Sequence, residues 1–179
     1  MYALILLTLS QHIFKHQPQY AERLKWNNLF SIGARWMHER LCEMRGSDQE
    51  FDEVINFTYY GVLKYSISIA GLVIALYYLI KVNIFLAPLA ILFFYFLEVH
   101  FLFLFPLLID KVKRPLLNSI RLAYKIGIIR AVFNVLPIAI FMLLGLFNYK
   151  KPLYNWYIGC LAILYWYHYE VEGIIFKNL

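Results

Sequence analysis

Four long apolar runs, separated by short polar or basic segments, set the expected architecture. They cover roughly residues 59–80, 85–109, 126–147 and 153–175. Each reaches about 20 residues, the length a helix needs to cross a hydrocarbon layer about 30 Å thick. Lys81-Val82-Asn83 and Asn148-Tyr149-Lys150-Lys151-Pro152 read as tight turns, joining the runs in two hairpins. Pro88 falls in the opening turn of the second run, where no helical bond is lost. Pro137 lies inside the third and predicts a kink.

The first 58 residues follow a different pattern. Residues 1–14 are apolar but short, without the basic start and small-residue cleavage site of a secretory signal. They are expected to remain as a re-entrant or interfacial helix; a tilted fifth span is the alternative. After Pro18, Trp26, Leu29, Phe30, Gly33, Trp36, Met37, Leu41 and Met44 recur at helical spacing. Arg23, Lys25, Arg35, Arg40 and Arg45 surround them with positive charge. A helix with Trp on one face and bases elsewhere suits a headgroup interface, although the same face also suits docking onto protein. Gly46 ends this helix, and Ser47-Asp48-Gln49-Glu50 has the form of a capping box from which the next helix starts. Pro115 opens a helix expected to run on into the third span.

The expected fold is therefore an all-α integral membrane protein with four transmembrane helices, a fifth at the N-terminus as the alternative, and a basic amphipathic interfacial helix. Residues 1–58 form the N-terminal part and 59–179 the four-helix bundle. Composition agrees: 62% of the 179 residues are hydrophobic and 16% charged, with a mean hydropathy of +0.60. Soluble domains are about 45–50% apolar and about 25% charged, so this chain has too little polar surface to face water all round.

The net charge of +6 adds orientation. Bases concentrate in residues 15–45 and 111–125, whereas the two short turns hold only Lys81, Lys150 and Lys151. Basic flanks belong on the cytoplasmic side, which places both termini there, in a plasma membrane or bacterial inner membrane. No basic domain stands apart from the spans, so nucleic acid is not an expected partner. Asn56-Phe57-Thr58 matches a glycosylation sequon but lies on the wrong side and against the bilayer. Cys42 and Cys160 fall on separate parts of the layout, and no Cys/His metal spacing occurs.

Candidate chemistry lies in the ionisable groups within the spans: Lys64, Glu98, His100, Arg130 and His168, with Asn134 and Glu170 close by. Charges in hydrocarbon are costly and mark candidate functional sites. A rise of about 1.5 Å per residue puts Lys64, His100, Arg130 and His168 roughly 6–8 Å inside the cytoplasmic edge, in one layer. Mutual neutralisation explains part of this, and each histidine has a backbone carbonyl as an alternative partner. Glu98 and His100, two residues apart, point to nearly opposite faces, as do His168 and Glu170; His168 and Glu172, four apart, can pair. Polar groups on two sides of a span suggest that the second side also meets protein. Gly61, Ser68, Gly71 and Ala75 provide a small-residue side on the first span for close packing.

Three functions fit. The first is a non-catalytic subunit or assembly partner of a larger membrane complex, with the bilayer and another membrane protein or a second copy as partners. The second is an enzyme acting on a lipid headgroup or isoprenoid in the inner leaflet, with His100 or His168 as base and Lys64 and Arg130 holding an anionic group. In the third, His100 and His168, weak candidates as metal ligands, hold a haem or other tetrapyrrole. No catalytic, phosphate-binding or multi-histidine motif selects among them, and no cofactor is specified.

Overall fold

The computed structural model describes residues 2–15, 29–145, 147–148 and 153–173. Among these residues every regular element is helical. Three helices are long and apolar enough to cross a membrane: Phe57–Val82, Ile84–Ile109 and Ile128–Gly145.

The N-terminal helix α1 (Tyr2–Lys15) is short for a crossing and packs along α7 (Ile128–Gly145) and α8 (Tyr154–Trp166). Ala3, Leu6, Leu7, Ser10 and Phe14 face this contact, and Phe14 stacks on Tyr157 with ring centroids 6.0 Å apart. Helix α2 (Leu29–Arg45) also belongs to the bundle. Its Ala34, Trp36 and Leu41 are buried, and Trp36 meets the edge of Tyr157 at 5.0 Å. The Trp36 face is thus covered by α8 and is not free to lie against headgroups. Arg23, Lys25 and Trp26, the other half of the expected interfacial helix, lie outside the described residues. Gly46 ends α2 as its sequence predicts: at φ +62 it turns the chain left-handed. The amide of Ser47 then reaches the Cys42 carbonyl, and that of Gly46 the Glu43 carbonyl.

Ser47-Asp48-Gln49-Glu50 does not cap a helix. The ten residues 47–56 run without helix, and α3 (Phe57–Val82) follows them. Asn56 is the cap: its side-chain oxygen accepts from the Tyr59 amide at 2.9 Å. The asparagine of the sequon is therefore a helix cap.

Helix α3 is inside out by the standard of soluble helices. Its buried residues are Phe57, Gly61, Lys64, Ser68 and Ala75, while Val62, Ile69, Val73, Ile74 and Tyr77 are exposed. Polar and small groups facing protein, with branched apolar groups facing out, are what a bilayer selects. The predicted small-residue side is real and internal. Gly61 lies against Phe30 of α2, and Gly71 against Leu97 of the returning span, with no room for a side chain at either.

The second span is not one straight helix. Asn83 ends α3 and caps a 3₁₀ segment, Ile84–Leu89, that carries Pro88. Then come α4 (Ala90–His100), a turn at residues 101–103, and α5 (Leu104–Ile109). Pro106 accounts for the interruption, since it offers no amide and its ring crowds the Leu102 carbonyl. Pro115 does open a helix, α6 (Pro115–Ile126), but α6 stops at Gly127 and does not continue into α7. Gly127 sits at φ +97, a conformation in which a side chain would be strained. Helix α8 widens into a π turn at Tyr167–Val171. It forms the centre of the molecule, with Ile158, Leu161, Ala162, Leu164, Trp166 and Tyr167 almost fully buried. The described residues on either side of position 58 share one core, because α1 and α2 both pack onto α8.

Candidate functional site

All but His100 of the ionisable residues expected in one layer are gathered into three clusters. In the first, Lys64 of α3 pairs with Glu98 of α4 at 2.8 Å. Ser68, one turn above Lys64, donates its hydroxyl to the other carboxylate oxygen at 2.8 Å. The stem of Lys64 is buried, and its ammonium lies 5.3 Å from the Tyr65 ring. A buried lysine needs this set of partners, because an unpaired charge away from water is strongly unfavourable.

In the second cluster, Arg130 of α7 reaches Glu170 in the π turn at 2.9 Å, and the indole N–H of Trp166 donates to the same carboxylate at 3.0 Å. Asn134 lies one turn along α7, half-buried.

The third cluster is the largest and joins elements far apart in the chain. Arg45, the last residue of α2, grips Asp110 with two parallel bonds of 2.8 Å. Its Nε donates to Glu172 at 3.0 Å. The Tyr167 hydroxyl donates to Asp110 at 2.6 Å, and His168 Nδ1 donates to Glu172 at 3.1 Å. All three charged partners are at most 19% exposed. Burial opposes the charge on Arg45, but its bonds to Asp110 and then Glu172 outweigh it and drive the guanidinium's pKa upward. A planar fork with two carboxylates is a guanidinium arrangement that lysine cannot reproduce. The π turn places Glu170 toward α7 and Glu172 toward α2, so one distorted turn serves two clusters.

His100 stands apart from these pairs. Its Nδ1 donates to the Phe96 carbonyl at 2.7 Å, which leaves Nε2 to accept from the Tyr124 hydroxyl at 3.2 Å. Ser119 of α6 donates to the buried His100 carbonyl at 2.9 Å, where α4 ends. Glu98 and His100 do point to opposite sides, as their spacing requires. The second side is met by the chain's own α6. His100 lies outside the cluster that holds His168, and each has its partners inside the chain.

Beside the start of α3 the loops carry their own structure. A cleft of about 280 Å³ is lined by His38, Phe51, Asp52, Ile55, Phe57 and Lys111, among others. Burial, the main influence, lowers the pKa of His38, which keeps its ring neutral at pH 7. Asp52 binds Lys111 at 2.8 Å, and that bond holds its carboxyl below the usual range. Arg35 is exposed and pairs with Glu53, while Arg40 is buried to 3% and pairs with Glu43 at 2.6 Å. Lys111 and Arg114 hold φ of 53 and 54, and a left-handed backbone costs a non-glycine residue about 1–2 kcal/mol.

Comparison with protein families, with curated proteins and with solved structures finds no match for this chain.

Sequence reasoning singled out Lys64, Glu98, Arg130, Glu170 and the His168–Glu172 pair, and the structure gives each a partner. It missed Arg45–Asp110 and Tyr167. Their separations of 65 and 57 residues carry no helical periodicity, so only the fold could reveal them.

Proposed function

We propose that this chain is a non-catalytic helical membrane protein that serves as a subunit or assembly partner of a larger membrane complex. The observation that carries this reading is the pairing of Lys64 with Glu98 and of Arg130 with Glu170, joined by the commitment of both His100 nitrogens. Groups so engaged hold helices together and are not themselves free to act as a base or anion clamp on a lipid. The second support is the bare outer side of α3, whose most apolar stretch is only 11% buried. Tyr59, Val62, Val73, Tyr77, Phe85 and Phe93 project from this side and the adjoining span. Lipid covers part of such a surface, and aromatic groups also suit contact between helices of different chains.

In this reading the chain crosses the bilayer four times. The helical stretch 154–173 is about 30 Å long at 1.5 Å per residue, which serves as the fourth crossing. The basic segments and both termini face the cytoplasm.

A photo-crosslinking residue placed at Val73 or Tyr77 in native membranes tests the proposal. A partner gives one discrete protein adduct from each position, and none from Val54 in the loop before α3. Labelling of lipid alone from both positions, together with a monomeric mass after gentle solubilisation, would refute it.

A further inference from the structure

Between Asp110 and Glu170 the chain contains no acidic residue, yet residues 111–130 carry six bases. Two of them are satisfied within the chain, Lys111 by Asp52 and Arg130 by Glu170. The remaining four, Lys113, Arg114, Arg121 and Lys125, are exposed and form no ion pair with any described residue. They are not scattered. Arg121 and Lys125, four apart on α6, share one side of that helix, and Arg114 immediately precedes its first residue. Leu117 and Tyr124 lie on the same side, 39% and 56% exposed, while Ser119, Leu122 and Ala123 face the bundle.

Position supplies the second argument. α6 lies between the end of one apolar span at Ile109 and the start of the next at Ile128, and it packs against α4, α5 and α7. A helix tied to two span ends in this way sits at the edge of the hydrocarbon. The exposed apolar side chains can then enter the acyl boundary while the bases stay at headgroup level. Arg114 also lines an open cleft with Lys111, Asn56 and Tyr60, and Asp52, the single acid in that lining, is already paired with Lys111. Arg114 has a left-handed backbone, φ 54, where the chain turns into α6.

We infer that this side of α6, with the loop leading into it, binds the phosphate-bearing headgroups of anionic lipids. The four bases supply the attraction, Leu117 and Tyr124 supply the acyl contact, and the cleft beside Arg114 accepts one headgroup. This surface is distinct from the outer side of α3, and the inference does not rest on the assembly reading.

Native mass spectrometry of the full chain in detergent tests it, with phosphatidylglycerol and phosphatidylcholine of identical acyl chains as probes. Phosphatidylglycerol should bind at least tenfold more tightly, and the difference should shrink as salt is raised. Each base near an anionic surface contributes about fivefold to binding, so Arg121→Gln with Lys125→Gln should reduce the preference about 25-fold or abolish it. Lys81→Gln, at the far end of α3, should leave it unchanged. If the double variant fails to insert, the salt dependence of the unaltered chain still decides. Equal binding of the two lipids, or a preference insensitive to salt, would overturn the inference. So would glycerol phosphate without acyl chains binding as tightly as the lipid, since the surface would then serve a soluble anion.

Discussion

Helices α3 and α8 are built from similarly apolar sequence, yet one is nearly bare and the other nearly enclosed. In α8, Ile158, Leu161, Ala162, Leu164 and Trp166 are at most 1% exposed, whereas in α3 the residues most deeply covered include Lys64 and Ser68. A helix apolar on every side belongs either in a protein core or against lipid. Which of the two applies is decided by neighbours: α1, α2 and α7 surround α8, while α3 meets mainly α2 and the span returning beside it. In α8, side chains interlock by shape. In α3, small residues and one ion pair do the joining, and the large side chains are turned away from the protein.

The largest effect should come where one buried cation serves two buried carboxylates. Arg45→Ala leaves Asp110 and Glu172 facing each other without their cation, and breaking a buried pair costs about 3–5 kcal/mol. Arg35→Ala removes a pair whose members are 55% and 75% exposed and should cost less than about 1 kcal/mol. Unfolding midpoints in detergent compare the two; equal losses would mean that the buried cluster is not structural.

Truncation of packed side chains sharpens the contrast between the helices themselves. Leu161→Ala on α8, at 1% exposure, should cost about 2–5 kcal/mol through the cavity it leaves. Ile69→Ala on α3, at 52% exposure, should stay within about 0.5 kcal/mol. A large loss at Ile69 in the membrane, absent from the isolated chain, would instead locate a protein partner on α3.

A smaller effect is expected where two helices cross closely. A methyl added at Gly145 of α7 would run into the Cβ of Asn155 on α8, and such overpacking costs about 1–3 kcal/mol. At Gly33 of α2 nothing lies within 4 Å, so Gly33→Ala should be neutral or mildly stabilising.

The mildest effect is a pH dependence from the cleft below α3. His38 has its pKa lowered from the ordinary 6.5, chiefly by burial. The unfolded chain therefore takes up a proton more readily than the folded one. The contribution of neutral His38 is fully present above pH 6.5 and is lost as pH falls through 6.5 toward the lowered value. His38→Gln should flatten the fall in unfolding midpoint between about pH 7 and 5.5; an unchanged slope would assign that fall to other groups.

The sequence by itself determined the helical class, the apolar lengths, and the local punctuation at Gly46, Pro115 and Asn83. These depend on residues close in the chain, through backbone chemistry and side-chain periodicity. It also determined which polar residues had to find partners, because a charge in hydrocarbon is costly wherever the helix sits. It did not disclose where partners come from. Only the tertiary structure brought Arg45 to Asp110 and Glu172, turned Trp36 onto Tyr157, and set α6 against His100. The same holds for the breaks at residues 101–103 and at Gly127: periodicity runs straight through them, and the chain bends there because Pro106 and Gly127 let packing override a continuous helix. Local chemistry chose the helices, and the way they cover one another settled which side chains meet.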